Sequence, residues 1–167
     1  LNTPILFELR AATYSVAPLL LMTMPVGVAR LLAFSAFGTG AQQSAPAQEG
    51  VTDALLLSGK DGEWLSYGND YAEQRFSKLT QITDQTVSKL GLAWSADLDT
   101  ARGQEATPLM HDGTLYITTA WSMVKAFDAK TGALKWEYDP KVPREKLVEV
   151  CCDAVNRGVA LYGDKVY

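Results

Sequence analysis

The sequence predicts an all-β protein, on three observations. Strand-like runs and turn residues alternate at short spacing from Asp53 onward. Asp-Gly, Thr-Gly and Gly-Asp pairs punctuate those runs. No helical period of any length crosses the chain. The composition suits a folded chain, because 167 residues at 47% hydrophobic and 20% charged are enough for one domain with a core.

The elements follow in order. Residues 61–83 read as irregular, with Trp64 and Phe76 as the expected packing anchors. The segment "DQTVSKLGLAWSADL" ends in an alternating strand, Leu92 to Ala96. In "ATPLMHDGTLYITTA" an apolar run meets Asp112-Gly113 and then Leu115 to Thr119. Asp-Gly between two β-type runs is the strongest short hairpin signal. The next stretch, "SMVKAFDAKTGALKWEYDP", repeats the device, with strands Val124–Phe127 and Leu134–Tyr138 around a turn at Asp128 to Gly132. "GVALYGDKVY" begins the pattern again at Gly163-Asp164. A strand signal running up to Tyr167 is read as a chain that continues, so a truncated domain is expected.

The front of the chain differs. Residues 1–41 hold only Glu8, Arg10 and Arg30 as charges. From Met24 the order is that of a secretory signal: Arg30, a short apolar run Leu31 to Phe37, then small residues that offer cleavage after Ala41 or Ala47. The apolar stretch Ala11 to Ala29, broken by Pro18, Pro25 and Gly27, reads as a longer signal, a membrane anchor, or sequence upstream of a start at Met22 or Met24. Three regions are therefore expected: 1–41 as leader and upstream read-through, 42–60 as linker, and 61–167 as the folded unit. The leader implies export to the periplasm.

Some functions are excluded early. A net charge of −4 with no basic cluster argues against nucleic acid as a partner. One His and two adjacent Cys cannot make a four-ligand zinc site, since neighbouring thiolates lack the usual spacing, so any metal would be held by oxygen. Cys151 and Cys152 are the only cysteines. Their α-carbons stand about 3.8 Å apart across a trans peptide, less than the usual disulfide span of roughly 4.4–6.8 Å. A bond between them would close a small strained ring, and export favours oxidation. Two reduced buried thiols, or partners outside this sequence, are the alternatives.

The unit Ala126-x-Asp128-x-x-Thr131-Gly132-x-x-x-Trp136 resembles the tryptophan-docking repeat of quinoprotein β-propellers. Asp128 and Thr131 suit hydrogen bonds to the turn backbone, Gly132 supplies positive φ, and Trp136 is the expected plug between blades. An ordinary hairpin with a core Trp is the bland alternative. The segments "YGNDYAEQRFSKLTQIT", "GLAWSADL", "GQEATPL", "TPLMHDGTLYITTAWSMVKAFDAKTGALKWEYDPKVP" and "CCDAVNRGVA", from about Asp61 to Tyr167, together resemble the pyrroloquinoline-quinone (PQQ) dependent alcohol dehydrogenases, relatives of methanol dehydrogenase.

The resemblance implies the N-terminal portion of an eight-bladed quinoprotein β-propeller. It matches Cys151 and Cys152 to a vicinal disulfide covering one face of PQQ, Arg157 to the arginine that pairs with a cofactor carboxylate, and Glu105 to the glutamate at the cofactor rim. The bland readings are a surface ion pair of Arg157 with Asp153 and a solvated Glu105. Asn156 and Asp153 are expected to orient the Cys-Cys loop through bonds to backbone. Trp121 is expected in the core, with a place facing the channel as the alternative, and His111 is expected in solvent. The resemblance further implies a calcium or lanthanide ion and a catalytic Asp base, both beyond Tyr167. It also implies a primary alcohol oxidised to an aldehyde, and cytochrome c or a similar acceptor. A haem c domain, a homodimer and a small-subunit complex stay open. The competing class is a non-catalytic exported propeller scaffold, which has no use for a Cys-Cys pair between Glu105 and Arg157.

Overall fold

The computed structural model describes residues 50–59 and 61–167, together with the backbone of three strands: β1 (Ile5–Phe7), β2 (Leu19–Met22) and β3 (Arg30–Ser35). The expected cleavage positions Ala41 and Ala47, and most of the expected leader, lie outside the described residues. β1, β2 and β3 join β4 (Gly91–Asp97) in one antiparallel sheet in the order β1-β2-β3-β4.

The centre of the molecule is a four-stranded antiparallel meander: β5 (Leu109–His111), β6 (Thr114–Thr118), β7 (Val124–Asp128) and β8 (Leu134–Tyr138). The β5–β6 turn is the expected two-residue Asp112-Gly113, with His111 opposite Thr114. Both turn residues have positive φ, 43° and 69°, as a hairpin of this handedness requires. At the β7–β8 turn, the Asp128 carboxylate accepts from the backbone N–H of Lys130 (3.1 Å) and Thr131 (2.8 Å) and from the Thr131 hydroxyl (2.8 Å). A short hairpin, β9 (Leu161–Tyr162) with β10 (Lys165–Val166), turns at Gly163 as anticipated.

All five residues of β6 are buried, so this strand does not alternate. A strand covered on both faces loses its period of two. Leu109, Met110, Leu115, Ile117, Ala126 and Phe127 fill the meander, and Trp64, Leu65, Leu98, Val51 and Leu161 cover it. Trp64 is tied in by backbone bonds to Met110 in both directions (3.0 and 2.9 Å). Burial of such side chains stabilises by roughly 1.5–3 kcal/mol each. Within the stretch read as linker, Val51 is buried and exchanges backbone bonds with Gly163 (2.8 and 2.7 Å). A six-residue helix, α1 (Asp53–Ser58), then follows. Thr52 caps it by accepting from the Leu55 N–H, and Gly59 closes it at φ 56°.

Two expectations are corrected, and a third is made specific. Phe76 is 66% exposed, so its ring is not a packing anchor. His111 is buried, not solvated, with its Nδ1 3.1 Å from the Glu63 carboxylate, which also accepts from the Asp112 N–H. The tryptophan that docks on the β7–β8 turn of the repeat is Trp94 of β4. The indole of Trp94 lies flat over Gly132, where an added Cβ would meet its ring atoms at 2.5–2.7 Å. Its Nε1 donates to the Ala129 carbonyl at 3.0 Å. Trp136 lies on β8, the sheet edge, still partly exposed and tilted against Tyr116 at 6.0 Å. Both tryptophans occupy the same place in a strand. Which one fills a given turn is decided by the strand that crosses it, and sequence alone does not say.

Candidate cofactor site

Three connections meet beside the central sheet: the loop 98–107 before β5, the turn 119–122 between β6 and β7, and the segment 151–158 before β9. The sulfurs of Cys151 and Cys152 lie at bonding distance, with their α-carbons 3.8 Å apart, and both residues are exposed. Two of these connections have a reason to be irregular. Trp121 (φ 66°) and Ser122 (φ 56°), like Cys152 (φ 73°) and Asp153 (φ 79°), sit in left-handed backbone that extended strands cannot use.

Hydrogen bonds hold these connections together. The Trp121 N–H donates to the Ala154 carbonyl at 2.8 Å, and Asn156 Nδ2 donates to Ser122 Oγ at 3.1 Å. Asn156 Oδ1 accepts from the Gly158 N–H at 2.9 Å, the loop-orienting bond expected of it. Asp153 makes a different contact from the one expected, because its carboxylate pairs with the Arg102 guanidinium. Gln104 Nε2 donates to the Thr118 carbonyl at 2.6 Å, while Gln104 Oε1 is buried with no hydrogen-bond partner.

The four residues singled out from the sequence fall in this cluster. Arg157 Nε stands 3.2 Å from Glu105 Oε2, so Arg157 pairs with Glu105 and not with Asp153. The Arg157 side chain is 76% exposed, and the contact uses Nε alone. Its two terminal nitrogens are therefore open to a second, planar acid. The loop that carries Glu105 is itself anchored by Asp99, whose carboxylate accepts from the buried Lys125 ammonium at 2.6 Å. Glu137 holds the other side of that ammonium at 2.7 Å. Burial lowers the Lys125 pKa, but the hydrogen bonds and charges of Asp99 and Glu137 outweigh it and leave the pKa raised. Among the described residues, no three His, Cys, Asp or Glu side chains converge as a metal site would require.

Sequence reasoning missed Arg102. It also missed that Trp121, expected in the core, lies half-buried with the Arg102 and Arg144 guanidiniums 5.0 and 4.1 Å from its ring centre. The only local signal was a Trp among small polar residues, which does not suggest two cations at distant positions.

An antiparallel blade covered on both faces, with a tryptophan of one sheet seated on the turn of the next and its polar groups gathered on connecting loops, defines a β-propeller protein. Residues 64–166 match the PQQ family described as Glucose/ethanol/alcohol dehydrogenase, beta-propeller domain. The chain belongs to this family. It is 57% identical over 120 residues to the quinohemoprotein alcohol dehydrogenase ADH IIB of Pseudomonas putida, covering 71% of this chain and 17% of that protein. It is 53% identical over 142 residues to the dehydrogenase subunit of the alcohol dehydrogenase (quinone) of Gluconobacter oxydans, covering 83% and 18%. The solved structure of quinohemoprotein alcohol dehydrogenase ADHIIG from Pseudomonas putida superposes with a TM-score of 0.70 at 50% identity, over 74% of this chain and 18% of that one. A europium-containing methanol dehydrogenase superposes with a TM-score of 0.63 at 38% identity, over 69% and 21%. The chain thus spans about a fifth of the length of the relatives it matches.

Proposed function

We propose that the full-length protein is an exported PQQ-dependent alcohol dehydrogenase on an eight-bladed propeller, oxidising a primary alcohol to an aldehyde and passing electrons to a cytochrome. One observation carries the reading. In a chain of this family, the Glu105–Arg157 ion pair and the Cys151–Cys152 sulfurs stand on neighbouring loops, with the guanidinium fork still open. That donor set fits a flat polycarboxylate. The fork suits carboxylates, and polarisable sulfur suits the face of a π-system. When bound, PQQ supplies the redox chemistry, accepting two electrons from the alcohol carbon.

The chain's own residues bind and orient. Glu105 grips Arg157 at Nε and so sets the plane of the guanidinium before any cofactor arrives. Oxidised sulfurs at Cys151 and Cys152 form a disulfide that covers one cofactor face without a titratable thiol. The metal ligands and the Asp base are assigned to residues beyond Tyr167. Calcium or a lanthanide is the ion, a choice supported by the europium-containing neighbour. Relatives named quinohemoproteins, and one named 1-butanol dehydrogenase (cytochrome c), support a haem c domain and a cytochrome c acceptor. Relatives named as dehydrogenase subunits support a larger complex. The leader, which carries β1, β2 and β3 and is cut away with them after Ala41 or Ala47, directs the protein to the periplasm.

PQQ titration of the full-length apoprotein, followed by cofactor absorbance, tests the reading. Arg157→Ala is expected to weaken binding by roughly 10- to 150-fold, since a hydrogen bond to a charged group contributes about 1.5–3 kcal/mol. Unchanged affinity would remove Arg157 from the site, and no PQQ binding by the unaltered protein would sink the function.

A further inference from the structure

The bend that aims the two sulfurs is made of residues that resist it. Cys152 and Asp153 both take left-handed backbone, as do Trp121 and Ser122 opposite them. Non-glycine residues persist there only when their surroundings over-determine them. The backbone of the two segments is joined by the Trp121 N–H to Ala154 bond, and a longer bond runs from Thr118 Oγ1 to the Asn156 carbonyl at 3.4 Å. Neither bond reaches Cys152 or Asp153 themselves. Cys152 is tied to Cys151 by their sulfurs, and the side chain that reaches Asp153 is Arg102, which pairs with its carboxylate while its guanidinium lies against the Trp121 ring. Arg144, at the start of the 3₁₀ turn Arg144–Glu149, lies against the same ring.

We propose that Arg102 is a positioning residue: by holding Asp153 while resting on Trp121, it fixes the bend at Cys152-Asp153 and with it the attitude of the sulfurs toward the cofactor. This rests on the reading that those sulfurs cover PQQ. The chemistry favours arginine. A planar guanidinium can hydrogen-bond a carboxylate at its edge and offer its face to an indole at once, which an ammonium cannot. Side chains of Arg102 and Asp153 are both about one-third exposed (36% and 37%), so the ion pair adds little to global stability and its effect is local. Arg102 also lies on the loop that carries Glu105. It makes a second tie between that loop and the 151–158 segment, beside the Glu105–Arg157 pair.

The test uses the full-length protein with Arg102→Ala and Arg102→Lys, and Asp153→Asn as a milder variant that keeps the side-chain size. In the apoprotein, amide exchange of Cys152 to Ala154 and of Trp121 is expected to speed up about tenfold in Arg102→Ala, with β5 to β7 unchanged. PQQ affinity is expected to fall about tenfold, with the melting temperature unmoved, and Arg102→Lys is expected to recover only part of either loss. Asp153→Asn should shift both readouts in the same direction. Unchanged loop exchange in Arg102→Ala and Asp153→Asn overturns the proposal, as does faster exchange with unchanged PQQ affinity, or full rescue by lysine. Failure of the cofactor reading looks different, because then neither the unaltered protein nor Arg157→Ala binds PQQ while the loop exchange still responds to Arg102.

Discussion

Replacing Gly132 by Ala tests the seat of Trp94 most directly. Gly132 has φ 74°, where any L side chain is strained by about 1–2 kcal/mol. A Cβ there would also stand 2.5–2.7 Å from Trp94 Cδ2, Cε3 and Cγ. Those are inner atoms of a rigid ring whose Nε1 is bonded to Ala129 at 3.0 Å, so the ring cannot swing aside without losing that bond. Overpacking of this kind adds about 1–3 kcal/mol, which makes the total about 2–5 kcal/mol. Gly113 is the control. Its φ is 69°, but a Cβ there meets nothing within 4 Å, so Gly113→Ala carries only the backbone part.

Hydrogen–deuterium exchange of the full-length protein reads each turn locally. At about 1.4 kcal/mol per tenfold, β7–β8 turn amides in Gly132→Ala are expected to exchange roughly 30- to several-thousand-fold faster. The β5–β6 turn amides in Gly113→Ala are expected to change only about 5- to 30-fold on the same scale. Adding Gly132→Ala to Trp94→Ala should then cost little more than the Gly113 change, because the clash is gone. Equal effects of the two glycine changes, or full additivity with Trp94→Ala, would refute the docking of Trp94 on this turn.

Two further outcomes follow from buried charges. Lys125→Met removes an ammonium held by Asp99 and Glu137, whose carboxylates regain water, for a loss of about 1–2 kcal/mol. The Lys125 pKa is raised in the fold above 10.5, so its contribution is complete below that pH and fades as pH rises through the raised value. Alkaline unfolding by near-ultraviolet circular dichroism should show this step in the unaltered protein and not in Lys125→Met; identical profiles would contradict it. Glu63→Ala takes the acceptor from the Asp112 N–H, for about 1–3 kcal/mol, whereas Glu63→Gln keeps an acceptor and should recover most of it. Equal protection of the Asp112 amide in both variants would count against that assignment.

The sequence by itself determined the local structure. Asp112-Gly113, Asp128 to Gly132 and Gly163-Asp164 fix three hairpins, because each turn chemistry is satisfied within a few residues. The resemblance also singled out Glu105, Cys151, Cys152 and Arg157. What it could not give was pairing at a distance. Trp94 lies 35 residues from the carbonyl it bonds, and Arg102 lies 51 residues from Asp153. Glu63 reaches 48 residues to His111, which is why a histidine beside a turn is buried instead of wet. Turn conformation is settled by short-range sterics and hydrogen bonds that a few letters encode. The partner of a long side chain is settled by which strands cross, and only the folded chain decides that.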